Sequence, residues 1–266
     1  MRIRTATLET TCEVSGPRNA PAILLSHALG TSLNLWDLQM AAIESRFRVV
    51  RYDIRGHGES AVPPAPYTLA ELAADVVALL DRLEIDRVSF AGVSLGGMIG
   101  QELALRHPAR LNRLVLCATS ARIPPEGAQA IRERIALARR GGMAALVDAT
   151  LARWFTPRFL AAEGPGVALI RQLFLRTPVD GFIGCAEAIC GLDLLEALPA
   201  VRVPTLVVVG EEDPGTPVAA AQAIHAAIPG SRLEVIPSAS HLANVEQAAR
   251  FNRLLVDFLT AAEAPY

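Results

Sequence analysis

FAGVSLGGMIG, running from Phe90 to Gly100, places one serine between two glycines at the end of an apolar run. Upstream, DRVSFAGV carries the β-branched and aromatic residues of a strand, and downstream MIGQELALR has the apolar spacing of a helix that stops before His107-Pro108. Ser94 therefore marks a strand-to-helix turn. A serine there can act as a nucleophile if the turn is sharp enough to lift its hydroxyl off the sheet, which requires strained torsions and close backbone approach. Gly92 and Gly96 supply the space, and a helix starting at Leu95 would aim free N–H groups at an oxyanion formed beside the hydroxyl.

Working outward, the short apolar runs continue. AILLSH (22–27), RFRVVRYD (46–53), RVSFAGV (87–93), LNRLVLCAT (111–119), PTLVVVG (204–210) and RLEVIP (232–237) alternate with helical patterns over Leu69 to Leu83, Leu95 to Arg106, Val218 to Ile228 and Val245 to Ala261. That alternation predicts an α/β fold with a mostly parallel sheet flanked by helices, its strands buried on both faces. MRIRTATLETTCEVSG at the N-terminus alternates like a strand and has no signal-peptide core. Between 120 and 203 the rhythm breaks into helical patterns without a strand, which predicts a helical cap inserted between two strands. The expected organisation is a core of 1–119 and 204–266 with a cap of 120–203.

The 266 residues are 52% hydrophobic with a net charge of −2, which argues against disorder and offers no electrostatic case for nucleic acid or an acidic membrane surface. No lysine occurs, so all basic charge besides histidine is arginine. No run approaches a membrane span, and a cytoplasmic location is expected. Cys12, Cys117, Cys185 and Cys190 are scattered without zinc spacing, so no metal is expected and the thiols read as ordinary buried groups.

In an open parallel sheet, functional groups gather beyond the carboxyl ends of the strands. After AILLS comes His27-Ala28-Leu29-Gly30, a turn able to present the Leu29 N–H toward Ser94. After LVVVG come Glu211, Glu212 and Asp213, and after LEVIP comes SASHLANVEQ with His241. A serine hydroxyl needs a histidine to take its proton, a carboxylate to orient that histidine, and two N–H donors, here those of Leu29 and Leu95, for the developing oxyanion. Glu211 and Glu212 compete with Asp213 for the carboxylate, the Asp213-Pro214 step that ends the loop favouring Asp213, and Ser94, Asp213, His241 is then the chain order expected of such a sheet. Of the other histidines, His27 belongs to the oxyanion turn, His57 braces the loop DIRGHGES, and His107 and His225 lie at helical positions. Asp53 reads as a loop-organising carboxylate paired with Arg55.

With these residues in view, the chain resembles the α/β-hydrolases along its whole length, and more narrowly the 3-oxoadipate enol-lactone hydrolases. SHALGTSLNLWD, RYDIRGHGES, GVSLGGMIGQELALRHP and SASHLANVEQ carry the broader likeness, and CAEAICGLDLLEALPAVRVPTLVVVGEEDPGTP the narrower one. The resemblance implies Ser94 as nucleophile, His241 as base, Asp213 as orienting acid, and Leu29 and Leu95 as oxyanion donors. It implies a small-molecule lactone or ester substrate and neither metal nor organic cofactor. The implied substrate carries a free carboxylate, for which Arg134, Arg139, Arg140 and Arg153 are the candidate partners, with Trp36 and Trp154 as candidate pocket walls. A broad carboxylesterase or perhydrolase, a C–C hydrolase and a ligand-sensing binding protein on the same fold are the rival readings.

Overall fold

The computed structural model describes residues 1–261. They form one eight-stranded sheet from β1 (Arg2–Arg4), β2 (Glu9–Ser15), β3 (Ala22–Ser26), β4 (Arg48–Tyr52), β5 (Val88–Val93), β6 (Leu111–Cys117), β7 (Thr205–Gly210) and β8 (Arg232–Ile236), in the order β1-β2-β4-β3-β5-β6-β7-β8. The first two strands join antiparallel and all later pairs are parallel. Every residue of β5 and β7 is buried, as befits central strands covered by helices on both faces.

The helices are α1 (Asp37–Ile43), α2 (Leu69–Arg82), α3 (Leu95–Arg106), α4 (Pro125–Gly141), α5 (Val147–Trp154), α6 (Pro157–Ala161), α7 (Pro165–Arg176), α8 (Val179–Cys190), α9 (Val218–Ala227), α10 (Ala243–Glu246) and α11 (Ala248–Thr260). The chain steps from β3 outward to β4 and then back past β3 to β5, so right-handed crossovers put α1 on the face opposite α2 and α3. Accordingly α1 packs on α11, while α2 packs on α3. α2 starts at a reciprocal cap: Thr68 Oγ1 accepts the Glu71 N–H and the Glu71 carboxylate accepts the Thr68 N–H.

All six apolar runs become strands, within two residues of the expected limits. The last helix differs: Gln247 leaves helical torsions (φ −123°, ψ 46°) and splits the expected single helix into α10 and α11. Between β6 and β7 the chain runs through α4 to α8 with one isolated bridge, Arg122 to Asp193, as its only extended pairing among the described residues. Among the described residues no helix is long and apolar enough to cross a membrane. Cys12, Cys117 and Cys185 are buried, Cys190 is half-buried, and all four thiols are free.

Candidate active site

The reversal of winding between β3 and β5 leaves a crevice beyond their carboxyl ends, where ligands of open α/β sheets bind. Ser94 stands there between β5 and α3 with φ 56° and ψ −111°, a left-handed torsion that non-glycine residues rarely adopt. The turn is held by its own backbone, since the Ser94 N–H donates to Cys117 O (2.8 Å) and Ser94 O accepts from Thr119 Oγ1 (2.8 Å). Both flanking glycines are required by close approach. A Cβ on Gly92 would meet Gly96 O at 2.2 Å, and one on Gly96 would meet Ser26 O at 2.3 Å. The Gly96 N–H donates to His27 O (3.1 Å), which fastens the start of α3 to the end of β3.

The turn after β3 is built around Ala28 O, which accepts from the Thr31 N–H, from Thr31 Oγ1 and from His27 Nδ1. Among the described residues the N–H groups of Leu29 and Leu95 have no protein acceptor. Two free N–H groups at a helix start and at a facing turn can receive developing negative charge.

Across the sheet, His241 on the loop after β8 meets Asp213 on the loop after β7, Nδ1 to Oδ2, at 2.8 Å. The Asp213 carboxylate also accepts from the N–H groups of Gly215 and Thr216 (2.8 and 3.0 Å) and from Thr216 Oγ1 (2.6 Å). Burial by itself would raise the Asp213 carboxyl, but the facing His241 and the Thr216 donors hold it below its ordinary range. An imidazole whose Nδ1 proton is held by a carboxylate has Nε2 free to accept another. Trp154 lies nearly parallel to the His241 ring, centroids 6.3 Å apart. The end of α5 is tied to the histidine loop, with the Leu242 N–H donating to Trp154 O and Ser240 Oγ to Arg153 O.

Ser94, His241 and Leu29 line one cavity of about 220 Å³ together with Trp154, Arg134 and Arg153. Met98, Ile123, Ile131 and Ile189 complete an apolar wall. Arg134 on α4 and Arg153 on α5 have no carboxylate partner among the described residues. Burial, and for Arg134 the neighbouring charge of Arg153, push both guanidinium groups down from their ordinary value. The Arg134 guanidinium lies over the Phe182 ring at 5.8 Å.

Several sequence expectations are corrected by this geometry. Trp36, in the 3-10 turn Leu33–Trp36 that precedes α1, is wholly buried against Phe251 of α11 and does not line the cavity. Arg139 points from α4 to the outside and pairs with Glu187, and Arg140 shares that outer surface. Arg55 pairs with Asp75 through two 2.8 Å contacts, and Asp53 instead accepts the N–H groups of Leu33 and Glu59. Thr216, three residues after Asp213, was not singled out by sequence reasoning. An Asp-x-x-Thr spacing at a strand end is the local signal for such a carboxylate-anchored turn.

The fold is that of a hydrolase, and the chain belongs to the α/β-hydrolase fold family, whose model matches residues 21–248. Among solved structures it is similar to the enol-lactonase of Burkholderia xenovorans LB400, with a TM-score of 0.94 and 42% identity over 98% of this chain and 100% of that one. Among curated proteins it is 38% identical to 3-oxoadipate enol-lactonase 2 of Acinetobacter baylyi, over 89% of this chain and 88% of the relative. A Variovorax paradoxus relative, provisionally named carbamate hydrolase RutD, is 34% identical over 95% of this chain and 97% of its own.

Proposed function

We propose that the protein opens 3-oxoadipate enol-lactone to 3-oxoadipate through an acyl-enzyme. The observation that carries the reading is the joining, in one cavity, of Ser94 and His241 with two arginines that lack a carboxylate partner. An ester bearing a free carboxylate is complementary to such a cavity, and the similarity to enol-lactonases narrows the ester to that lactone. In this reading α4 to α8 act as the cap that carries selectivity, and Arg134 and Arg153 hold the substrate carboxylate.

Ser94 Oγ attacks the lactone carbonyl while His241 Nε2 takes its proton. The Leu29 and Leu95 N–H groups receive the charge that develops on the carbonyl oxygen. Asp213 keeps the imidazole in the tautomer that accepts at Nε2 and stabilises the cation that forms. As the ring C–O bond breaks, the His241 imidazolium gives the proton taken from Ser94 to the departing oxygen, which leaves as an enol and tautomerises to the ketone. The neutral His241 then takes a proton from water as the water attacks the acyl carbonyl, and it returns that proton to Ser94 Oγ as the ester bond breaks and the new carboxylate leaves.

The test compares kcat/KM for the enol-lactone, p-nitrophenyl acetate and a simple alkyl carbamate, with wild type and Ser94→Ala. The lactone is expected to be turned over far faster than the other two, and Ser94→Ala to abolish all hydrolysis. Preference for the acetate would make the protein a general esterase, and preference for the carbamate would align it with the Variovorax relative.

A further inference from the structure

Two buried histidines outside the Asp213–His241 pair form a reciprocal clasp. His27, at the start of the turn after β3, accepts at Nε2 the N–H of Ile54 in the loop after β4 (2.9 Å). His57, in that second loop, accepts at Nε2 the N–H of Gly30 in the first (2.9 Å). The rings are 5.3 Å apart. Each imidazole spends its remaining proton on a nearby carbonyl, His27 Nδ1 on Ala28 O (2.8 Å) and His57 Nδ1 on Arg55 O (3.2 Å). Burial holds both below their ordinary value, His57 down to about 4, so the acceptor lone pairs persist at neutral pH.

The Gly30 N–H adjoins Leu29, whose own N–H is unpartnered among the described residues. Gly30 has φ 78°, so its peptide groups are oriented by a left-handed turn and have no regular ladder to fix them. His57 is wholly buried, with the Cys185 thiol of α8 3.9 Å from its Nδ1. Its loop also meets α8 backbone to backbone, since a Cβ on Gly181 would stand 1.8 Å from Gly56 O.

We propose that His57 is a positioning residue for ester hydrolysis: its Nε2 holds the Gly30 N–H and thereby the turn that presents the Leu29 N–H to the reacting carbonyl. The inference rests on the serine-hydrolase reading above. An oxyanion donor displaced by a fraction of an ångström loses transition-state stabilisation while ground-state binding in the cavity continues, so the expected signature is in kcat.

The test uses p-nitrophenyl acetate and the enol-lactone with His57→Gln, His57→Asn and His57→Leu, each checked for folding by circular dichroism. Gln can place an amide oxygen near the Nε2 position, Asn falls short of it, and Leu offers no acceptor. Expected are a kcat loss of about tenfold or more for Asn and Leu with KM within about twofold, and a Gln variant within about threefold of wild type. A folded Asn or Leu variant with near-wild-type kcat, or a Gln variant as poor as Leu, overturns the proposal. Failure of both Asn and Leu to fold overturns it too, making His57 a folding residue alone. Hydrolysis retained by Ser94→Ala would instead strike the underlying serine-hydrolase reading, and the two failures are thus distinguishable.

Discussion

At the scale of single residues, the site stores strain at the proposed nucleophile. Ser94 keeps φ 56° only because the Cys117 and Thr119 contacts and the start of α3 leave its backbone no other course. Ser94→Gly should therefore abolish hydrolysis yet raise stability by about 1 kcal/mol, read as a higher urea midpoint, since glycine adopts that torsion without cost. Asp213→Asn keeps the shape of the turn but favours the wrong histidine tautomer, and kcat should fall about 1,000-fold or more in steady-state assays. Ser94 was legible as a candidate from its glycines, whereas Asp213 shared its place after an apolar run with Glu211 and Glu212 and was preferred for the Asp213-Pro214 step and the family resemblance. Thr119 became evident as a partner only when the loops were folded, because hydroxyls in loops are common and only proximity selects among them, whereas Thr216 follows Asp213 at a turn spacing that marks it in the chain.

At the scale of elements, the junction of β3, β5 and α3 tolerates no added atom. Gly96→Ala puts a Cβ against the Ser26 carbonyl, backbone on backbone, and should cost about 3 kcal/mol or more, seen as a lost soluble yield or a collapsed denaturation midpoint. The cavity-lining sides of α4 and α5 carry the opposite compromise. Holding Arg134 near Arg153 with no ion-pair partner is unfavourable for the empty protein, Asp213 offsetting part of the cost at Arg153, and the carboxylate of the proposed substrate would relieve it. Arg134→Met should raise Tm by about 2 °C while increasing KM for the anionic lactone about tenfold or more and leaving KM for p-nitrophenyl acetate nearly unchanged. Which arginine faces inward could not be read from the sequence. Arg134 and Arg139 lie on the same helix, five residues apart, and periodicity orients them relative to each other but not relative to a cavity made by other helices.

At the scale of the whole molecule, the buried histidines link stability to acidity. His57 titrates at about 4 in the fold against 6.5 for an ordinary histidine, so the unfolded chain binds the proton first as pH falls. Its contribution is complete above 6.5 and is lost on descending toward 4, about 3 kcal/mol in all, with His27 acting in the same direction. Asp213, held below its ordinary carboxyl value, withdraws its support in a lower window, under 3.8. Thermal melts should show Tm falling by about 5 °C or more between about pH 7.5 and about pH 5, with a shallower fall in His57→Gln. A flat profile across that range would contradict neutral burial of these rings.

By itself the chain determined the order of strands and helices, the place of the serine turn and the loops that bring the carboxylate and imidazole to the sheet edge. These follow from local rules: continuous apolar runs for doubly covered strands, glycines where backbones must touch, and chemistry at strand ends. Tertiary structure alone decided that Trp154 and not Trp36 faces the cavity, that Arg134 and Arg153 meet there unpaired, that Arg55 joins Asp75, and that His27 and His57 clasp each other's loops. Each of those outcomes joins residues distant in sequence across packed surfaces, and a side chain's environment at such a meeting is set by shape and burial, which no local pattern encodes.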